Sequence, residues 1–176
     1  MKNFLTLFII AIIAFSGCGN DKKYLTLDEI KQEEEAIIKT IIANNKANEE
    51  ENFAELLKTL GDSVVFFGSD QGEVIKTFAD YKDAIQKQWE EYEYTKYGEI
   101  TDLFIAMDKN ATLASVIYGI PFEGKIGNLK EELFLRVSKT LRKQNDRWVI
   151  VSGINSIQRP KPIAIAVDTT TANPAQ

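Results

Sequence analysis

Between Glu132 and Ser156 the chain reads ELFLRVSKTLRKQNDRWVIVSGINS, two alternating runs around the polar break Lys143-Gln144-Asn145-Asp146. On the first run Leu133, Leu135 and Val137 share one face, with Phe134, Arg136 and Ser138 on the other. On the second, Trp148, Ile150, Ser152 and Ile154 alternate with Val149, Val151 and Gly153. A period of two predicts a β-hairpin. Apolar residues on both faces predict a central position in a sheet covered on each side.

Upstream, the period changes to that of a helix. Thr26-Leu27-Asp28-Glu29 offers capping residues, and Ile30, Ile37, Ile38, Ile41 and Ile42 follow a helical spacing, with Glu33-Glu34-Glu35 read as its solvated face. The polar stretch Asn44 to Glu51 ends or bends this helix. A short helix follows from Phe53 to Leu60, with Asn52 as cap and Gly61 as stop. Ser63 to Gly68 reads as a strand, Ser69 to Glu73 as a loop, and Val74 to Phe78 leads into a helix from Asp80 to about Tyr94. On that helix Tyr81, Ile85, Trp89 and Tyr92 form an aromatic stripe, which serves either as core or as pocket wall. Weak alternation over Gly98–Met107, a turn at Asp108-Lys109-Asn110, a strand over Leu113–Pro121 and a loop over Gly124–Asn128 complete the approach to the hairpin. Residues 158–176, with Arg159-Pro160-Lys161-Pro162 and three consecutive threonines, read as a disordered tail.

Composition narrows the function. The 176 residues carry a formal charge of −5, and no dense Lys/Arg cluster is present, which argues against a nucleic-acid partner. The chain contains no histidine, so the commonest general base and metal ligand is missing. No metal-ligand spacing, phosphate loop or nucleophile elbow occurs, and no metal or cofactor is expected. The single cysteine, Cys18, follows a basic start (Lys2), an apolar run from Phe4 to Phe15, and Ser16-Gly17. That is a secretory signal, too short for a spanning helix. Phe15-Ser16-Gly17-Cys18 resembles a bacterial lipobox, which implies cleavage before Cys18 and a lipid anchor in the cell envelope. The expected organisation is a lipoprotein signal over 1–17, a lipidated Cys18 and tether over 18–27, one domain over 28–157, and the tail.

The order helix, short helix, strand, helix, then long strands ending in Arg147-Trp148-Val149-Ile150-Val151 resembles the NTF2-like superfamily. Within it the chain looks most like the SnoaL-like group. Three passages carry the resemblance: Glu51 to Phe66, the loop Phe67-Gly68-Ser69-Asp70-Gln71-Gly72-Glu73, and Asp146 to Val151. It implies an α+β fold in which a curved antiparallel sheet wraps a long N-terminal helix as a cone, and it implies homodimers formed through the sheet. The group includes binders of small apolar ligands and isomerases or dehydratases. Many members place histidines after the closing strand, where this chain has Ser152-Gly153-Ile154-Asn155-Ser156.

Candidate site residues follow. Asp70 and Glu73 are the acidic pair available as a base; the alternative is a capped turn facing water. Arg136 grips a carboxylate ligand if its face lines the cone, or pairs with acids outside it. Trp89, Tyr92, Tyr118 and Trp148 wall a pocket or fill a core. The reading adopted is a lipid-anchored envelope domain, non-catalytic, that binds a small apolar ligand or a protein partner. Two alternatives stand beside it: a carboxylate-dependent isomerase or dehydratase using Asp70 or Glu73 with Tyr118 or Arg136, and a dimerisation module whose cavity its own aromatics fill.

Overall fold

The computed structural model describes residues 24–68 and 72–157. The expected signal, Cys18, Asp70 and the tail therefore lie outside the described residues. Helix α1 (Leu27–Glu49) opens on a capping box: the Thr26 side chain accepts from the Glu29 backbone N–H, and Glu29 reaches back to Thr26. It runs through the polar stretch from Asn44 without bending off, because Asn44, Ala47 and Asn48 are themselves turned inward and buried. Helix α2 (Phe53–Lys58) is capped by Asn52 as expected. Gly61 is not its stop. The helix ends at Lys58, and Gly61 lies buried in β1 (Leu60–Phe67), where a Cβ would meet the Val151 side chain.

The remaining elements are β2 (Val74–Ile75), α3 (Phe78–Glu91), β3 (Tyr94–Tyr97), β4 (Thr101–Met107), β5 (Leu113–Ile126), β6 (Leu129–Gln144) and β7 (Arg147–Ile157). Among the described residues they form one seven-stranded sheet in the order β2-β1-β7-β6-β5-β3, with β4 on the first half of β5 and β3 on its second half. Strand β5 continues through the stretch expected as a loop and turns only at Gly127-Asn128. All pairings are antiparallel except β1 with β7, which enclose the whole intervening domain and run parallel. The hairpin turn tightens to Asn145-Asp146, both with positive φ, as a two-residue turn on right-twisted strands requires.

The β6–β7 hairpin is central, but among the described residues only one of its faces is covered. Helix α1 lies across the inner face, where Ile37, Ile41, Leu56, Val64, Val116, Ile120, Leu141 and Ile150 are fully buried. Between the pairs Thr140–Ser152 and Leu141–Ile150 the register slips by one residue at Val151. This bulge resets the alternation: Trp148 and Ile150 point in, and beyond it Gly153 points in and Ile154 out. Among the described residues no layer lies over the outer face. Phe104, Ile117, Ser138, Ile154 and Phe67 form one cross-strand row there, the four apolar members 62%, 51%, 52% and 49% exposed.

Candidate functional site

The inner face of β6 reads Leu135, Val137, Lys139, Leu141. Alternation therefore commits a lysine to the core. Lys139 is 8% exposed and donates to Asn44 Oδ1 of α1 at 2.8 Å. Asn44 Nδ2 donates to Thr59 Oγ1 at 2.8 Å, and Thr59 Oγ1 donates to the Leu56 carbonyl at 2.7 Å. The chain of donors ends on backbone, so nothing in it supplies a negative charge. Among the described residues the buried polar side chains are Asn44, Asn48, Thr59, Thr95 and Lys139, none of them a carboxylate. Burial without a counter-ion pushes the Lys139 amine down to about 8.

Three tyrosines belong to the same interior. Tyr118 of β5 is paired with Val137 of β6, which makes it a diagonal neighbour of Lys139 on the inner face. Tyr81 of α3 packs on Phe66, with ring centroids 5.4 Å apart. Phe66 in turn occupies the space over Gly153, the direct partner of Lys139 on β7; a Cβ at Gly153 would sit 2.9 Å from the Phe66 ring. Burial pushes the hydroxyls of Tyr81 and Tyr118 well above the usual phenol range, each raised further by the Tyr97 phenol, while Asn44 opposes the shift at Tyr81. Burial also takes Tyr97 up to about 12, against hydrogen bonds from Gln88 and Asn48. The Tyr97 hydroxyl accepts from Asn48 Nδ2 at 3.1 Å, and Asn48 Oδ1 accepts from Trp89 Nε1 at 2.8 Å. Glu49, the acid that reaches this network, accepts the Tyr97 backbone N–H at 2.5 Å.

The inner face is sealed at the turn end of the hairpin; toward the other end it stays covered on the β5 side, where Ile120 and Phe122 are buried, and is exposed on the β7 side. Leu141 and Ile150 are fully buried, Val137 nearly so, Leu135 half-buried, and Asn155 and Ile157, which pair with Val137 and Leu135, are exposed. Lys139 sits one residue pair in from that exposed end.

The residues expected from sequence are dispersed. Trp89 and Tyr118 border the interior just described. Tyr92 caps α3 at the edge and donates to Glu131 at 2.6 Å. Arg136 is exposed on the outer face, paired with Gly119 and Ser156. Glu73 is exposed beside Gly68. Trp148 is buried at the sealed end, where its Nε1 donates to Glu33 at 2.7 Å and Lys143 pairs with the same carboxylate at 2.5 Å. Glu33 thus leaves the solvated face assigned to it. Burial raises its carboxyl, but the hydrogen bonds from Lys143 and Trp148 outweigh that and hold it below the usual range. An open cleft of about 530 Å³ lies outside this pair, lined by Lys39, Thr40, Lys58 and Arg147 among others, and a second of about 520 Å³ lies over Tyr97, Pro121 and Phe134. Among the described residues no group of His, Cys, Asp and Glu is placed to hold a metal. Lys139 and Asn44 were not singled out from sequence. The available signal was a lysine continuing the alternation Leu133, Leu135, Val137.

A long helix laid across one face of a curved, mixed sheet, with an apolar interior and a few enclosed polar groups, defines an α+β cone. The chain belongs to the SnoaL-like domain family, whose model matches residues 37–160. No curated protein matches it significantly. Among solved structures it is similar to a hexachlorocyclohexane dehydrochlorinase of Novosphingobium barchaimii, at 14% identity over 78% of this chain and 94% of that one, with a TM-score of 0.65. It is also similar to an NTF2-like protein of unknown function from Pseudomonas putida (17% identity, 76% and 91% covered, TM-score 0.61). A third is a ketosteroid isomerase-like protein from Erwinia carotovora atroseptica (16%, 72% and 96%, TM-score 0.60). At these identities the likeness is one of fold.

Proposed function

We propose that this chain is a lipid-anchored domain of the bacterial cell envelope that holds a small, largely apolar molecule inside the cone without turning it over. The observation that carries this reading is the uncompensated amine of Lys139, enclosed by apolar and aromatic side chains one residue pair from the exposed end of the inner face. A buried ammonium with a single neutral partner is costly to keep. A ligand oxygen supplies the partner that the protein omits. The carboxylate-dependent alternative has less support: Glu73 is exposed, and the buried polar set just described holds no acid.

The anchor rests on Cys18 and its preceding apolar run. A second copy of the chain is the partner that suits the outer row of Phe104, Ile117, Ile154 and Phe67. That row crosses the sheet centre with the uncharged Ser115, Thr140 and Ser152 on one side and Gly119, Arg136 and Ser156 on the other, so a two-fold contact there covers the apolar row and leaves Arg136 at its margin to be hydrated or paired with an acid of the second copy.

The ligand reading is tested by thermal shift of the full chain against a panel of small apolar alcohols, ketones and aromatics. We expect some to raise the midpoint, and Asn155→Trp, placed at the exposed end of the inner face, to abolish that rise while leaving the ligand-free midpoint unchanged. A flat panel, or a rise indifferent to Asn155→Trp, would reject it.

A further inference from the structure

We propose that Lys139 is a covalent ligand-binding residue, whose amine condenses with the carbonyl of a small apolar aldehyde or ketone to hold it as an imine. The inference rests on the proposed ligand-holding function and specifies its chemistry.

Geometry carries it first. The amine stands on the rigid central strand β6, flanked along that strand by Val137 and Leu141 and across the sheet by Val116 and Gly153. Its hydrogen bond to Asn44 Oδ1 aims one N–H at α1, and among the described residues this is its one hydrogen-bond partner. The groups that surround it from other elements are Asn44 of α1, Tyr118 of β5, Phe66 of β1 over Gly153, and Tyr81 of α3 stacked on Phe66. None is a carboxylate that would keep the amine charged. The hydroxyls of Tyr81 and Tyr118 stay protonated and therefore remain donors to a ligand oxygen.

Burial favours the neutral amine, which is the nucleophile. The step balances without a cofactor. The nitrogen lone pair forms a bond to the carbonyl carbon, and the two amine hydrogens transfer to the carbonyl oxygen. That oxygen leaves as water, and a C=N bond remains. A carboxylic acid ligand offers no such product. An apolar carbonyl compound suits the walls, since Val137, Ile120, Tyr118 and Phe66 all belong to or pack on the buried core.

The test is reductive trapping. The full chain, in detergent if it is membrane-associated, is incubated with benzaldehyde and cyanoborohydride at pH 7, and the benzyl adducts are mapped by peptide mass spectrometry. With a midpoint near 8 in place of 10.5, Lys139 holds about 300-fold more neutral amine at pH 7 than an ordinary surface lysine. Lower basicity also lowers intrinsic reactivity, so we expect Lys139 to be labelled at least about 10-fold faster than the median lysine. Lys139→Arg should remove that fast adduct and leave the slow ones. Because Lys139→Arg can fail to fold, the decisive comparison is among lysines of the unmodified protein. Labelling of surface lysines with none at Lys139, or at an equal rate everywhere, overturns the proposal. Benzyl alcohol, which cannot form an imine, separates the two readings. If it raises the melting midpoint while Lys139 stays unlabelled, the imine is refuted and the ligand-holding function stands. If Lys139 stays unlabelled and the whole panel, benzyl alcohol included, leaves the midpoint unchanged, both are refuted.

Discussion

Replacing Lys139 by methionine should stabilise the fold at neutral pH and cease to do so in alkali. The amine's midpoint falls from the ordinary 10.5 to about 8 on folding, which corresponds to about 3 kcal/mol of destabilisation when the group is charged in both states. Below pH 8 both folded and unfolded chains carry the proton, so the full penalty is present. Between pH 8 and 10.5 the unfolded chain holds more protons than the folded one, and stability rises with pH. Above 10.5 neither holds it and the penalty is gone. Methionine has similar length and no charge, so Lys139→Met removes the penalty. It also removes the hydrogen bond to Asn44 and strands the Asn44 Oδ1, at about 1–2 kcal/mol. The variant should therefore be about 1–2 kcal/mol more stable at pH 7 and about 1–2 kcal/mol less stable near pH 10.5. Urea titrations at pH 7, 9 and 10.5, followed by fluorescence of the two tryptophans, measure the difference between variant and wild type, in which other alkaline titrations cancel. A difference that does not change with pH would refute the reasoning, because the lysine would then be paired or hydrated in the folded chain.

Three further outcomes are expected. Cys18→Ser should move the protein from the membrane fraction to the soluble fraction in the native host; a variant that stays with the membrane would remove the anchor from the reading. Phe104→Lys together with Ile154→Lys should convert a dimer to a monomer in sedimentation at high micromolar concentration, with little change in monomer stability, since both positions are more than half exposed; an unmodified protein that sediments as a monomer would refute the sheet-face contact. Glu33→Ala should cost about 1–2 kcal/mol, because it deprives the buried Trp148 Nε1 and Lys143 of their shared acceptor. Since the Glu33 carboxyl is held below its usual range, the unfolded chain takes up its proton first as pH falls. The contribution of Glu33 is therefore present above about pH 4.5 and fades below it, and the gap between Glu33→Ala and wild type in an acid titration should close there.

The order of elements and the faces of β5 and β6 were legible because each element has a strong local cause. The Thr26–Glu29 box starts α1, Asn52 caps α2, and an uninterrupted period of two runs through Leu113–Tyr118 and Leu133–Val137. The boundaries that shifted depend on partners distant in sequence. Gly61 looks like a helix stop, yet it is a strand residue because the Val151 side chain packs against it. Gly124 to Ile126 lies in the stretch that reads as a loop, yet it extends β5 because β3 and β6 both pair with this end of the strand. The slip at Val151 left no local mark, although it decides which of Gly153 and Ile154 faces inward.

The site was harder to read for a related reason. A search for chemistry in sequence looks for residues whose type announces a role, and here that led to Asp70, Glu73, Arg136 and four aromatic residues. Lysine on a strand is ordinarily a surface residue with its amine in water. What distinguishes Lys139 is a conjunction: the inward phase of β6, the absence of a side chain at Gly153 across from it, and Asn44 one layer above, which offers a carbonyl but no charge. The phase was available from the sequence and the other two conditions were not, since they join residues from three elements. An amine placed there lowers the stability of the fold. The use proposed for it is a C=N bond to a small carbonyl ligand, which replaces the ammonium by a neutral imine.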